Sequence, residues 1–391
     1  MQGNGLLTAT DSGEPRELHD AGSAESYLQI RRISAEDVLA VAGAAVASLC
    51  LTWVLYEQVL PFSGAFGFWL CWYLLFVLMY LAVAGLIWQR LVVRDKIMAV
   101  LFSSGGIFAC AVVFEQIGYS TVKGLPAVRH LNFWTTTMAF GGPLSPLTQG
   151  GILHAAVGSL EQIGLATAAS VPLGIAAALF LTEVGGRLER PVRTIVNAMT
   201  ALPSIVAGLL IYALAVLTLG LPESGFAAAL AVAIVMLPTV IRAAEVVLRV
   251  VPGTLREASF ALGASQWRTV WTVILPTARS GLTTTVVLAM ARGIGETAPV
   301  LLTAGFSNEM NADPFHGWQA TLPTFIITSI LDFGQYPNYV ARGLGAGLAL
   351  MLLVLALFAI ARLLGGKAPG ELSKRQQRRL SAVQIEEPDA N

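Results

Sequence analysis

The chain has 391 residues, of which 55% are hydrophobic and only 12% are charged, and its mean hydropathy is +0.69. Because soluble domains usually carry about 25% charged residues, this composition excludes an ordinary soluble globular protein. The formal net charge is zero, so nothing in the charge balance indicates nucleic-acid binding.

Eight apolar stretches recur along the chain, and each is long enough for a helix to cross the ~30 Å hydrocarbon core of a membrane. They lie near 37–58, 68–89, 97–118, 156–181, 194–219, 225–246, 279–304 and 343–364. The sequence therefore predicts an all-α polytopic membrane protein. Most Lys and Arg residues fall in the segments that this topology places on the side of the N-terminus, which predicts that both termini are cytoplasmic.

The two ends of the chain are polar. Residues 1–36 contain several acidic residues and no early apolar segment, so we predict a cytoplasmic tail rather than an ordinary signal peptide. Residues 367–391 are predicted to form a basic cytoplasmic tail. Between them, residues 37–92 contain the first two spans and several tryptophans, which favours a peripheral hairpin with aromatic side chains at the membrane interfaces.

A short apolar stretch, LPTFIITSIL, lies at 322–331 in the long outer segment before the last span. Ten residues are too few to cross a bilayer as a helix. We predict that this stretch lies at the interface or dips into the membrane from the outer side.

The cytoplasmic segment REASFALGASQWRTVWTVILP, at 256–276, carries an apolar and aromatic face. That face comprises Phe260, Leu262, Trp267 and Trp271. The pattern predicts two short helices, joined by a turn at Gly263, that lie below the membrane. An exposed face of this kind usually meets a partner, although an amphipathic loop folded against the protein's own helices fits the same composition.

Two charged residues, Arg292 and Glu296, interrupt the predicted seventh span within ARGIGETAP, 291–299. A charge at mid-bilayer costs about 2.5–3.5 kcal/mol, so such residues usually face a bundle interior or a wet cavity. Their spacing of four predicts that they share one helix face. They could form a structural ion pair, or belong to the proton relay of a secondary transporter with Glu161.

A third interpretation is that Arg292 attracts an oxyanion, because its planar donor fork suits phosphate. Glu296 would then hold Arg292 or limit its net charge, since conduction requires release. Ser204, which follows Pro203, and Thr297 are further candidates for such a path. Threonine in a membrane helix more often bonds a carbonyl of its own helix.

The cytoplasmic segment contains E-A-S-x3-G-x9-V-x-L-P, which resembles the EAA loop of ABC importer permeases, E-A-A-x3-G-x9-I-x-L-P. The departures are Ser259 and Val273. In that family the loop docks in a groove of the cytoplasmic ATPase, and the resemblance implies this coupling role here. The residues concerned are Glu257, Ala258, Ala261, Leu262 and Gly263.

From about Arg94 to Gly365 the chain resembles the PstA-type permeases of phosphate-specific ABC importers. The matching pieces are KGLPAV at 123–128, ALPSIVAGL at 201–209, the EAA loop, ARGIGETAPVLLTAG at 291–305 and DPF-HG…LP at 313–323. ARGIGETAP is shared with the sister PstC-type permease. The resemblance implies a six-span MetI-like core at 93–366, with the coupling loop at 253–276, preceded by two extra spans.

The resemblance also implies an inner-membrane subunit that forms half of a translocation path for inorganic phosphate. Its expected partners are a PstC-type permease, two PstB-type ATPase subunits, an extracytoplasmic PstS-type binding protein and membrane lipid. The chain lacks a G-x-x-x-x-G-K-[ST] motif, so ATP and Mg²⁺ are expected on the ATPase, and this chain is expected to be no enzyme and to hold no cofactor or metal. The alternatives are a permease for phosphonate, sulfate or molybdate, or an ion-coupled secondary transporter.

Overall fold

The structure is a computed structural model that describes residues 35–59 and 64–365. The described part is helical and contains no strand, which confirms the predicted fold class. Nearly all of the predicted N-terminal tail and the whole predicted C-terminal tail lie outside the described residues.

Seven helical runs of the described part are long and apolar enough to cross a membrane, and a bent pair makes an eighth if it counts as one span. The seven are Asp37–Val54, Ala65–Ile87, Arg90–Val128, Leu153–Val184, Gly225–Val250, Gln266–Gly293 and Pro337–Ile360. The bent pair is Glu189–Ala201 with Ser204–Thr218. These runs follow the order of the eight apolar stretches predicted from the sequence.

The chain divides into two compact units, Met1–Val112 and Val113–Asn391, and the boundary falls within helix α3. The helices are α1 (Ala35–Val54), α2 (Ala65–Ile87), α3 (Arg90–Val128), α4 (Leu131–Thr135), α5 (Leu153–Leu179), α6 (Glu189–Ala201), α7 (Ser204–Ile211), α8 (Gly225–Val250), α9 (Gly253–Ala261), α10 (Gln266–Thr269), α11 (Leu275–Gly293), α12 (Ala298–Ala304), α13 (Leu322–Leu331) and α14 (Pro337–Gly365). Short π-helical segments extend α1, α5, α7 and α10.

In the first unit, α1 and α2 pack side by side as a hairpin. Ala44 of α1 is buried against Phe76 and Tyr80 of α2. An ion pair joins Asp37 at the start of α1 to Lys96 in the first part of α3. The hairpin is thus held mainly by apolar and aromatic packing.

In the second unit, α5 and α8 form the central helix pair. Ala166 of α5 and Ala228 of α8 are fully buried within the largest apolar cluster. At Gly174 a Cβ atom would lie 2.5 Å from Cγ1 of Val240, so only glycine allows the two helices to approach this closely. Small residues allow such close packing between membrane helices.

The predicted fifth span, 194–219, is not one straight helix. Helices α6 and α7 meet at an angle of 105°. Pro203 cannot donate a backbone hydrogen bond, and a residue that precedes proline avoids helical geometry. Leu202 is accordingly extended, with φ −70° and ψ 128°. The break opens space between α6, α7 and α8.

The predicted seventh span, 279–304, is also broken, because α11 ends at Gly293 and α12 begins at Ala298. The amide of Glu296 donates to the carbonyl of Gly293 at 3.1 Å, so the helix tightens into a turn before it stops. Pro299 cannot continue the helical hydrogen-bond ladder. The prediction that Arg292 and Glu296 share one helix face is therefore wrong.

The ten-residue apolar stretch forms α13, which remains too short to span a membrane, as predicted. Helix α14 is tied to the segment between α4 and α5 by the buried side chain of Arg342. Its Nη2 donates to the carbonyl oxygens of Ser145 at 3.0 Å, Pro146 at 2.6 Å and Gln149 at 2.8 Å. This charge therefore has a structural role in fixing the segment between α4 and α5.

Candidate functional site

A cavity of about 290 Å³ lies between α6, α7, α8 and the end of α11. Its lining residues are Met199, Thr200, Leu202, Ala207, Ile234, Val235, Pro238, Thr239, Arg242, Ala243 and Arg292. The bend between α6 and α7 and the break after α11 both border this cavity. One predicted path residue, Arg292, lines this cavity.

Arg292 projects from the last turn of α11 and is exposed in this cavity. Its Nη1 donates to Oγ1 of Thr239 on α8 at 3.0 Å. No carboxylate of the described residues forms an ion pair with it. The guanidinium charge is held by a neutral hydroxyl and remains available to an anion.

Arg242 on α8 lines the same cavity, which sequence reasoning missed. Its Nε donates to Oγ1 of Thr200 at 3.2 Å, and its Nη2 donates to Oδ1 of Asn197 at 2.8 Å. Both partners are neutral and lie on α6. From the sequence, Arg242 counts only as one of the many Lys and Arg residues predicted on the side of the N-terminus. The feature of the sequence that could have identified Arg242 is its position one helical turn after Pro238, where α8 faces the bend between α6 and α7.

Two arginines that bond only neutral partners in the described structure therefore face one cavity. Each guanidinium offers several N–H donors in a plane, an arrangement that suits the oxygens of phosphate and similar anions. The hydroxyl of Thr239 accepts from Arg292 and keeps its own hydrogen to donate, whereas the hydroxyl of Thr200 already donates to the carbonyl of Val196 at 2.8 Å. By its chemistry, the site can attract and orient an oxyanion, and this binding requires neither a metal ion nor a nucleophilic side chain.

Glu296 lies in a different place from Arg292. It is partly buried and borders a second chamber of about 10 Å³. The lining residues of that chamber are Ser159, Gln162, Ile163, Val232, Gly293, Ile294, Glu296, Val300 and Thr321. The break after α11 separates the carboxylate from the guanidinium, and the two form no ion pair. A structural Arg292–Glu296 pair, one of the sequence interpretations, is thereby contradicted.

The other predicted path residues, Ser204 and Thr297, line neither chamber. Ser204 begins α7 just beyond the bend. Thr297 precedes α12, and its hydroxyl approaches the carbonyl of Gly295 at 3.5 Å. Thr303 donates to the carbonyl of Pro299 at 2.7 Å, which is the local bond expected of threonine in a membrane helix.

The segment at 256–276 turns sharply at Gly263, whose φ of +79° is in the left-handed region that favours glycine. Before this turn lies α9. After it, α10 continues through a π-helical segment into α11 and so into the membrane span. The second arm is therefore the beginning of a span rather than the separate short helix that we predicted.

The apolar face of this segment is exposed, as predicted. Leu262 is 89% exposed and Trp267 is 70% exposed. Glu257, Ala258 and Ala261 are exposed on α9 as well. The two arms are joined beneath this face, where the hydroxyls of Ser259 and Thr269 form a buried hydrogen bond of 2.8 Å. A large exposed apolar patch on a polar segment indicates a docking surface.

An ion pair anchors the docking surface to the membrane core. Arg256 donates from Nη2 to Oε1 of Glu183 at 2.9 Å, just after α5. It also donates to the carbonyl oxygens of Leu248 at 3.0 Å and Val251 at 2.9 Å, at the end of α8. Arg256 thus links α9 to the segment that follows α5 and to the end of α8.

The outer DPF-HG segment is held by a local turn at Asp313. Its carboxylate accepts from the amide of Phe315 at 2.9 Å and lies 2.9 Å from Nδ1 of His316. The backbone hydrogen bond, and then the His316 side chain, lower the pKa of the Asp313 carboxyl. The turn is exposed and lies away from both chambers.

The comparisons with known proteins give a consistent result. The family profile described as "Binding-protein-dependent transport system inner membrane component" matches residues 170–368. The chain is 37% identical over 263 residues to the phosphate transport system permease protein PstA 1 of Mycobacterium tuberculosis (strain CDC 1551 / Oshkosh), covering 67% of this chain and 85% of that protein. It is 37% identical over 283 residues to the PstA of Yersinia pestis, covering 72% and 92%.

A third relative, the PstA of Pasteurella multocida (strain Pm70), is 35% identical over 273 residues, which cover 69% of this chain and 92% of that protein. Among solved structures, an inward-facing conformation of the MetNI methionine ABC transporter aligns with a TM-score of 0.43 at 20% identity. That alignment covers 55% of this chain and 93% of the other.

Proposed function

This chain belongs to the family of binding-protein-dependent transport system inner membrane components, and on that premise we propose that it is a permease subunit of an ATP-driven importer of inorganic phosphate. It is a multi-pass membrane protein, and its relatives are named as phosphate transport permeases. We infer an anionic substrate from the cavity in which Arg242 and Arg292 bond only neutral partners.

Arg292 acts as the main attractor for phosphate in this proposal. It lies where the membrane helix breaks, so its donors face a cavity rather than another helix. A bound carboxylate would compete with the anion, and none is present among the described ion pairs. Contacts to neutral hydroxyls keep the charge in place while leaving attraction weak enough for release. Ser204 and Thr297 remain proposed path residues outside this cavity.

Glu296 has a different role from the one expected from the sequence. Because it borders the second chamber, it does not limit the charge of Arg292 by direct pairing. We assign it to the other side of the break, where it helps to set the position of the turn between α11 and α12.

The exposed face around Gly263 serves as the docking surface for a cytoplasmic ATPase. Its five coupling residues are Glu257, Ala258, Ala261, Leu262 and Gly263. Motion of the ATPase would reach the core through the ion pair of Arg256 with Glu183. ATP and Mg²⁺ are bound by that partner, and this subunit catalyses no covalent chemistry.

The proposed assembly contains a PstC-type permease, which supplies the other half of the path. Two PstB-type ATPase subunits dock from the cytoplasm, and a PstS-type protein delivers phosphate from outside. The subunit lies in the inner membrane, in contact with lipid, with both termini in the cytoplasm, as the distribution of Lys and Arg favours.

The test is uptake of labelled phosphate by proteoliposomes that contain the assembled complex, the binding protein and internal ATP. We expect uptake that depends on ATP and that excess phosphonate, sulfate or molybdate does not prevent. Preferential inhibition by one of those anions would assign the path to it. Uptake by this chain alone, driven by an ion gradient without the ATPase, would instead establish a secondary transporter.

A further inference from the structure

The second chamber next to the break has a polar lining that the proposed function does not yet use. Its polar members are Ser159 and Gln162 of α5, Glu296 in the turn after α11, and Thr321. Its volume of about 10 Å³ is close to what one water molecule requires.

Gln162 ends a hydrogen-bonded chain that begins in the outer segment. Gln319 donates from Nε2 to Oε2 of Glu161 at 2.5 Å and to the carbonyl of Asn311 at 3.0 Å. Its Oε1 accepts from Nε2 of Gln162 at 3.0 Å. Gln162 is 2% exposed and Gln319 is 1% exposed. The chain stops at Oε1 of Gln162, which has no hydrogen-bond partner among the described residues.

A buried carbonyl oxygen without a donor is costly, so a donor is expected at this position. The hydrogen-bonding capacity of two neighbouring side chains, Ser159 and Glu296, determines which kind of donor fits. Ser159 accepts from the amide of Leu322 at 2.8 Å, which leaves its own hydroxyl hydrogen free to donate into the chamber. The Glu296 carboxylate forms no ion pair in the described structure and accepts hydrogen bonds only.

These three groups therefore fit one small molecule that donates two hydrogen bonds and accepts one. We propose that it binds a single water, which accepts from Ser159 and donates to Oε1 of Gln162 and to the carboxylate of Glu296. Buried waters typically make about three such bonds. Gln162 is then a positioning residue for Glu296, and the water connects the break beside Arg292 to the outer segment. This inference rests on the proposed function.

The site itself is tested by a high-resolution cryo-electron microscopy map of the wild-type complex. We expect an isolated density peak within hydrogen-bonding distance of Gln162 Oε1, Ser159 Oγ and a Glu296 carboxylate oxygen. If the chamber has no density, or Glu296 points away from Gln162, the proposal is overturned. This measurement needs no variant and no transport activity, so it stands even if the complex carries another substrate.

The positioning role is tested by a double-mutant cycle of Gln162→Met with Glu296→Gln, measured as the maximal rate of phosphate uptake. We expect Gln162→Met alone to lower that rate about fivefold, the lower end of typical coupling between sites, and to lower it no further in the Glu296→Gln background. Additive effects would show a merely structural role for Gln162 and would overturn its positioning role.

The matched control for this cycle is Ser170→Ala. Ser170 lies on the same helix, is 1% exposed and also has an unpartnered hydroxyl, but it does not line the chamber. Its effect should add to that of Glu296→Gln. Absence of phosphate uptake by the wild-type complex would contradict the proposed function, whereas normal wild-type uptake with an additive cycle contradicts only the positioning role.

Discussion

The two ends of one membrane-spanning run, Gln266–Gly293, are built in opposite ways. At its first end, next to the Gly263 turn, large apolar side chains such as Trp267 are exposed and the polar contacts are buried beneath them. At its other end, Arg292 faces a cavity and Glu296 a small polar chamber, while apolar residues such as Ile294 are buried.

This contrast indicates that the two ends of this helical run have different functions. An exposed apolar end gains free energy by burying surface against a partner. A charged end that faces a cavity interacts instead with a small polar solute. Variants at the Gly263 end should therefore alter ATPase coupling, and variants at the Arg292 end should alter substrate transport. Coupling and transport should thus be separable by mutation.

The largest effect is expected for Arg292→Ala. Loss of a two-pronged contact to phosphate removes about 3 kcal/mol, which corresponds to about a hundredfold lower uptake at limiting phosphate. Assembly and ATPase attachment should be unchanged, as judged by co-purification. Arg279→Ala is the control, because Arg279 is an exposed arginine on the same helix that lies outside the cavity. Equal losses in both variants would argue against an anion path at Arg292.

Gly263→Leu should affect the opposite end. A non-glycine residue in the left-handed conformation costs about 1–2 kcal/mol, so we expect roughly tenfold weaker ATPase attachment or a comparable loss of coupled hydrolysis. The control is Gly253→Ala, which also has open space around it but has no positive φ. Attachment and coupling as in the wild type would favour a loop that serves only this chain's own packing.

Arg242→Gln should give a smaller change at the cavity. The substitution removes one charge but keeps a polar side chain near Thr200 and Asn197. Because the cavity is open to solvent and charges there are screened, we expect the phosphate concentration for half-maximal uptake to rise about threefold. Arg249→Gln on the same helix should leave it unchanged, since Arg249 pairs with Glu245 away from the cavity. Equal shifts in both variants would point to a general effect of surface charge.

The smallest change is expected in the phosphate affinity of Glu296→Gln. Because Glu296 does not pair with Arg292, removal of its charge should shift half-maximal uptake by no more than about twofold, while the maximal rate falls. Tighter phosphate binding, measured in the same uptake assay, would mean that Glu296 normally offsets the charge of Arg292. That result would restore the sequence interpretation.

Much of this fold was predictable because helix formation in a membrane depends on local sequence. Long apolar runs must satisfy their backbone hydrogen bonds internally, so their positions identify the spans. The turn at Gly263 and the short helix α13 were predictable for similarly local reasons, since glycine permits positive φ and ten residues cannot cross the bilayer. The four-residue spacing of Arg292 and Glu296 misled because it assumes an unbroken helix.

The breaks themselves depend on contacts between distant segments. At Gly208 a Cβ atom would lie 2.6 Å from Cα of Pro299, so α7 packs directly on the start of α12 and stabilises the break there. Arg242 enters the cavity only because α6 bends back over α8. The pairing of Gln162 with Gln319 joins residues that are 157 positions apart. No local pattern reports such contacts.

The sequence by itself determined the helical membrane architecture, the turn at Gly263 and the presence of charges within the membrane region. Only the tertiary structure decided which space each charge faces, because the direction of a side chain near a helix break depends on the packing of the neighbouring helices. Arg292 and Glu296 are near neighbours in the chain, but the helix breaks between them, where Gly293 and Pro299 are closely packed. Arg292 therefore lines the cavity that it shares with Arg242, whereas Glu296 lines the small chamber.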